Sequence, residues 1–256
     1  VCYRLWDEPQ TASLAAYTQP EILSADLSTL VLDLAPRGVR APATLPFLAS
    51  PPAPALNEAR NLLRELGALD ADGRITDEGK SLRALALPPR LARMIVDSQR
   101  LGAGREAADI AAILTERGLG GDSADLDARL DNFRRDRSPR ATGARQLAER
   151  WASQVATPLT STPGPSPQGE GELPSTGVTL ALAFSDRVAR NRGNGSFVLA
   201  NGRGASVDQA SALARSPFIA VAELTGAAAK GRILLAAPIT QTDIELRFAG
   251  QIETDD

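Results

Sequence analysis

At 256 residues, with 43% of them hydrophobic and 4% aromatic, the chain is long enough for two or three compact units whose cores must be built from Leu, Ala, Ile and Val. Histidine is absent and Cys2 is the only cysteine, so a Ser/His/Asp triad, a Cys/His pair, a Cys/His zinc site and internal disulfides are all excluded, the last in keeping with a reducing cytoplasm. The net charge of −3 argues against nucleic-acid coating by bulk electrostatics, and no apolar run approaches the roughly 18 residues that span a bilayer, which predicts a soluble protein whose binding surfaces are local patches.

The opening stretch VCYRLW alternates as a strand does and has neither the charged start nor the apolar middle of a signal peptide. Beginning without methionine, it predicts a natural protein that extends further upstream. From there to about Val155, apolar residues recur three and four apart between Pro and Gly, predicting helices near 10–17, 24–35, 55–66, 77–86, 89–101, 105–117, 123–135 and 142–155. Between Leu66 and Ile75, Asp72-Gly73 sits between short apolar ends, the signal for a tight hairpin. Helices followed by such a hairpin read as a winged helix.

Gly79-Lys80-Ser81 matches the end of the phosphate loop of many nucleotide hydrolases. That loop needs an earlier glycine five positions before the second, so that backbone N–H groups curl around the phosphates, and Arg74 stands there instead. The preceding ALDADG is a polar turn and not a buried strand. Thr76 is therefore predicted to cap a helix, with Asp77 and Glu78 in the first turn where the helix dipole favours anions.

In the helix from Pro89, the stripe Leu91, Met94, Ile95, Ser98 and Leu101 is expected to face a core, and Arg90, Arg93, Asp97 and Arg100 to face water. Asp122, Asp125, Asp127, Asp131 and Asp136 lack the alternating ligands and sixth-position glycine of a calcium loop. Asp125 with Arg129 and Asp131 with Arg135 have the spacing of ion pairs on an exposed helix. From Phe133 to Arg150 the local net charge is +4, through Arg134, Arg135, Arg137, Arg140, Arg145 and Arg150, which is either a solvated face or a binding patch.

Thr157 to Thr176 is dense in Pro, Gly, Ser and Thr and predicts an exposed linker. A helix is expected over GVTLALAFSDRVARNRG, then short apolar runs separated by glycines, which together read as a small α+β unit in the form of a partial, OB-like barrel. The final GQIETDD shows no strand, so a truncated domain is expected. Within LANGRGASV, Asn201-Gly202 reads as a hairpin turn, with a phosphate cradle assisted by Arg203 as the alternative. No paired carboxylates, no nucleophile with a base and no metal cluster emerge, and catalysis by this chain alone is not expected.

The stretches VCYRLW, QPEILSADLSTLVLDLAPRGV and LPFLASPPAPALNEARNLLRELGALDADGRITDEGKSLRALALPPRLARMIV, taken in order, resemble the segment that follows the second motor domain of DEAH-box RNA helicases. The matches are Pro20-Glu21-Ile22, Leu66-Gly67-Ala68-Leu69-Asp70, Ile75-Thr76, Gly79, Leu87-Pro88 and Pro89-Arg90-Leu91-Ala92-Arg93-Met94. LALAFSDRVARNRG, FVLANGRGA and RILLAAPI are similar to the C-terminal region of the bacterial HrpB-type ATP-dependent helicases, with Phe184-Ser185 in place of a usual tyrosine-proline and an apparent insertion at 157–176.

The resemblance implies a multidomain, mainly α protein. Residues 1–75 would hold the end of the second RecA-like domain (about 1–6) and a winged helix, 76–156 a helical ratchet domain, 157–176 a flexible linker, and 177–256 a C-terminal α+β module. It implies an accessory region that binds and guides single-stranded RNA, and DNA as a second substrate. RecA-like domains upstream would hydrolyse ATP with Mg, this chain holding no cofactor of its own, no metal and no catalytic residue, and the location would be cytoplasmic without a membrane partner. From charge and position, the candidate nucleic-acid contacts are Arg90, Arg93, Arg100, Arg134, Arg135, Arg137, Arg187, Arg190 and Arg203. Two alternatives stay open: a protein-interaction platform of the helicase, and a winged-helix DNA regulator reading bases with Asn57, Arg60, Asn61 and Arg64.

Overall fold

The structure, a computed structural model, describes residues 17–156, 173–226 and 231–251, together with Asp7 and Pro9. The VCYRLW strand, residues 10–16 of the helix expected near 10–17 and the linker residues 157–172 lie outside the described residues. The chain divides into two compact units, residues 1–83 and 84–256.

In the first unit, helix α1 (Ser28–Leu34) packs on α2 (Ala53–Glu65) through the buried Val31, Leu32, Leu56, Ala59 and Leu63. The hairpin that follows is present as an antiparallel bridge between Leu69 and Ile75. Asp70 closes it, its N–H donating to the Arg74 carbonyl at 2.9 Å and its carboxylate accepting from the Arg74 N–H at 2.8 Å. Helix α3 (Asp77–Ala84) starts as its residues dictate: the Thr76 hydroxyl accepts from the Gly79 N–H at 2.9 Å and donates to the Gly67 carbonyl at 2.6 Å. Gly79 is a packing residue. A Cβ there would stand 2.2 Å from the Ala68 carbonyl oxygen, so the glycine lets α3 lie against the backbone at the base of the hairpin.

The second unit begins with four helices: α4 (Pro89–Arg100), α5 (Gly104–Thr115), α6 (Leu126–Arg135) and α7 (Pro139–Ala156). Helix α5 is central and packs on both α4 and α7. Its Ala107, Ala108, Ile110, Ala111, Ala112 and Ile113 are all buried, and the small alanines let three helices approach closely. Helix α4 buries Leu91, Met94, Ile95 and Ser98 of the stripe expected of it, while Leu101 lies just past its end and is only half-buried.

Helix α8 (Thr176–Ala183) opens on Ser175, whose hydroxyl accepts from the Val178 N–H at 3.3 Å. It is apolar nearly all round because it lies between α4 on one side and strands β4 and β5 on the other. The strands are β1 (Val188–Gly193), β2 (Ser196–Leu199), β3 (Gly204–Ser206), β4 (Phe218–Thr225) and β5 (Gly231–Ile239). They form a closed barrel in the order β1-β2-β3-β5-β4, with β3 and β5 parallel and every other pair antiparallel. Ala189, Phe197, Leu199, Ile219, Val221 and Ile233 fill its interior. Asn194 and Gly195, both at positive φ (53° and 72°), make the β1–β2 turn. Helix α9 (Gln241–Phe248) follows, with the Thr240 hydroxyl accepting from the Asp243 N–H at 3.0 Å.

Three expectations are corrected here. The helix expected over residues 177–193 stops at Ala183, and VARNRG is strand β1 instead. Pairing with β2 and β4, burial of Ala189 and two hydrogen bonds of 2.9 Å from the Asn191 amide to the carbonyls of Ala214 and Ser216 outweigh local helix propensity. Arg129 does not pair with Asp125 on an exposed face. It is buried and donates to the Leu119 carbonyl at 3.2 and 3.3 Å, while Asp125 caps α6 by accepting from the Asp127 N–H at 3.0 Å. The polar stripe of α4 is only partly wet: Arg100 is exposed as expected, but Arg90, Arg93 and Asp97 are each less than a quarter exposed and ion-paired. Among the described residues no helix is long and apolar enough to cross a membrane.

Candidate nucleic-acid interface

The nine candidate arginines fall into three settings. Those on α4 are engaged within the protein. Arg90 donates to Asp186 at 2.8 Å and to the Ala183 carbonyl at 2.9 Å, and lies 5.7 Å from the centre of the Phe184 ring. Arg187, on a turn just before β1, stacks on that same ring at 4.9 Å and donates to the Ala222 carbonyl at 3.0 Å. Arg93 and Arg100 both hold Asp97, at 2.6 and 2.8 Å.

On the helical bundle, Arg134 pairs with Glu106 at 2.9 Å and with Asp109 at 3.5 Å, and Arg135 pairs with Asp131 at 3.0 Å. Arg137 is exposed and forms no ion pair among the described residues. The positive patch read from residues 133–150 is therefore only partly neutralised: Arg140 also pairs with Glu116, whereas Arg145 donates to the uncharged Phe133 carbonyl at 2.6 Å and keeps its charge.

The barrel differs. Arg190 and Arg192 of β1 are exposed and alternate with the inward Ala189. Arg203 sits in the β2–β3 turn, half-buried, with its Nε enclosed and lacking a hydrogen-bond partner among the described residues. That turn is a hairpin, in which the Leu199 N–H donates to the Arg203 carbonyl at 2.9 Å and the Asn201 side chain accepts from the Arg203 N–H at 3.2 Å. Parallel pairing of β3 with β5 adds a fourth cation, exposed Arg232, level with Ser206. Neither 188–206 nor 231–239 contains a carboxylate. Arg232 was absent from the sequence-derived candidates, and its bringing-together is wholly non-local.

On α2, the side chains that would have read bases are turned on one another: Arg60 donates to Asn57 at 3.2 Å and to the Arg40 carbonyl at 3.0 Å, and Arg64 donates to Asn61 at 3.3 Å. Among the described residues no group of three acidic or cysteine side chains is placed to hold a metal ion.

The bundle carries one perturbed acid with a measurable consequence. Asp109 is buried on α5, and that burial pushes its carboxyl above the ordinary range, against the pull of Arg105 and Arg134. The folded chain thus holds this proton more tightly than the unfolded chain. Stability from this group is present below the ordinary carboxylate value and is lost as pH rises through the raised one. Urea unfolding followed as pH rises from the ordinary carboxylate range should show this falling component, and Asp109→Asn should remove it.

Residues 59–87 match the family model for the winged-helix part of the helicase associated domain (HA2). The chain is 36% identical over 250 residues to the ATP-dependent RNA helicase HrpB of Escherichia coli, covering 96% of this chain and 29% of that protein. It is 34% identical over 120 residues to the ATP-dependent RNA helicase HrpA of the same organism, covering 45% of this chain and 9% of that one. A crystal structure of the E. coli DExH-box NTPase HrpB superposes with a TM-score of 0.75 and 31% identity, over 95% of this chain and 28% of that chain. The chain thus spans well under a third of the length of these relatives.

Proposed function

We propose, on the premise that the chain belongs to the HrpB-type helicase family in the C-terminal region it shares with those enzymes, that it is an accessory region which holds and guides single-stranded nucleic acid along the barrel. ATP hydrolysis is supplied by RecA-like domains of the same protein, outside these residues. Residues 76–156 act as the helical ratchet and 177–256 as the C-terminal module. The single observation that carries this reading is the outer surface of β1, β2, β3 and β5, where Arg190, Arg192, Arg203 and Arg232 stand without a neighbouring carboxylate on those strands.

The five-stranded order β1-β2-β3-β5-β4 supports an OB-like barrel, a form that commonly tracks single strands through a charged groove. Arginines without base readout suit a path along which a phosphate backbone slides. The ion-paired arginines of the bundle then serve cohesion, which leaves Arg137 and the barrel arginines as the contact set.

A salt titration tests this. Affinity for single-stranded RNA should fall steeply with salt, with a log–log slope of about −0.7 for each phosphate neutralised, and Arg190→Ser with Arg192→Ser should reduce that slope by about 1.4. The double variant should keep its melting temperature, since neither side chain is buried. An unchanged slope with the same affinity would remove β1 from the path.

A further inference from the structure

Strand β4, the ladder neighbour of β1, begins at a cleft that the phosphate path alone does not use. Arg190 lies directly opposite Phe218 of β4 in the antiparallel ladder, so the two side chains stand on the same outer surface. Phe218 is half-buried and, with Pro217, Pro238 and Ile239, makes the apolar floor of a cleft of about 620 Å³. This lies within the roughly 300 to 1,000 Å³ usual for small-ligand sites.

The cleft is preformed. Helix α8 forms one wall and approaches β5 so closely that a Cβ on Gly177 would stand 1.9 Å from the Pro238 carbonyl oxygen. No arginine or lysine lines it, so a phosphate has no counter-charge inside. Two carboxylates do line it, and they differ. Glu106 is occupied by Arg134 at 2.9 Å, whereas Asp127 is exposed and makes no ion pair among the described residues.

An apolar floor with a free carboxylate at its rim repels anions and suits a flat, neutral group that can donate a hydrogen bond. We propose, resting on the reading of the barrel as a nucleic-acid surface, that this cleft takes one unstacked nucleobase. The ring lies against Phe218, an exocyclic amino group donates to Asp127, and the attached phosphate sits on Arg190. Cytosine, adenine and guanine carry such an amino group and uracil does not, so the site prefers amino-bearing bases.

The test uses the full 256-residue chain and fluorescence anisotropy with labelled strands of roughly 12 nucleotides, a length matched to single-strand sites: oligocytidine, oligouridine and an abasic strand of the same backbone. Oligocytidine should bind about tenfold more tightly than the abasic strand, a typical effect of stacking one base on an aromatic ring. Phe218→Leu should bring oligocytidine to the abasic level and leave abasic binding unchanged. Asp127→Asn, on an exposed first helical turn, should erase the preference for cytosine over uracil even if the Phe218 variant folds poorly. Equal binding of oligocytidine and the abasic strand overturns the base site while the cationic face stands, and failure of every strand to bind overturns both.

Discussion

Gly177→Ala should lower the melting temperature of the second unit by roughly 4 to 8 °C. Two effects compete. Alanine is the better helix former by about 1 kcal/mol, so on an isolated helix the change would stabilise. In the folded chain the new Cβ would stand 1.9 Å from the Pro238 oxygen, 2.7 Å from its carbonyl carbon and 3.1 Å from the Ile239 Cβ. Two of these are backbone atoms of β5, which is held by β4 on one side and β3 on the other. No flexible side chain can give way. Overpacking costs of about 3 kcal/mol therefore exceed the propensity gain. A melting temperature equal to or above that of the parent chain would show that α8 does not lie against β5 as described.

Arg90→Met should cost about 1.5 kcal/mol of stability and leave the salt slope of RNA binding unchanged. Methionine keeps most of the aliphatic stem while removing the guanidinium. The Ala183 carbonyl at the end of α8 then loses its donor, the Asp186 carboxylate keeps the longer ion pair with Arg187 at 3.9 Å, and Phe184 keeps only Arg187 on its face. Asp186 remains 39% exposed, so water screens part of the loss, and the hydrogen bond to the carbonyl carries the larger share. Unfolding by urea gives the stability and an RNA salt titration gives the slope. If Arg90 touched nucleic acid instead, the slope would fall and stability would hold.

Much of the helical part was legible in the sequence. The stripe through Leu91, Met94 and Ile95 marks its own helix because burial on one face imposes a period near 3.6, and Thr76 marks the start of α3 because a capping hydroxyl has no better use there. What was not legible is non-local. VARNRG has no marked strand preference, and β1 exists because β2 and β4 bracket it. The role of Arg90 is set by Asp186, ninety-six positions away along the chain. Arg232 enters the cationic face only through the parallel pairing of β5 with β3, which no local pattern announces. Helix α9 did carry a local signal, Thr240 followed three residues later by Asp243, a reciprocal cap in which the Thr240 hydroxyl also donates to the Asp243 carboxylate at 2.6 Å.

The motif that first suggests a nucleotide site shows the same division. Gly79-Lys80-Ser81 is explained by close packing at Gly79, an ion pair of 2.8 Å from Lys80 to Asp77 and a hydrogen bond of 2.9 Å from the Ser81 hydroxyl to the Asp77 carbonyl. Each residue of the triplet has a structural occupation within the first unit.

The most direct test of the cationic barrel as the nucleic-acid path is an amide chemical-shift titration of the ¹⁵N-labelled chain with a single-stranded RNA. The account predicts shifts concentrated on β1, the β2–β3 turn, β3 and the start of β5, around Arg190, Arg192, Arg203 and Arg232. Shifts confined to the bundle arginines Arg93, Arg100, Arg134 and Arg135, with the barrel silent, would contradict it.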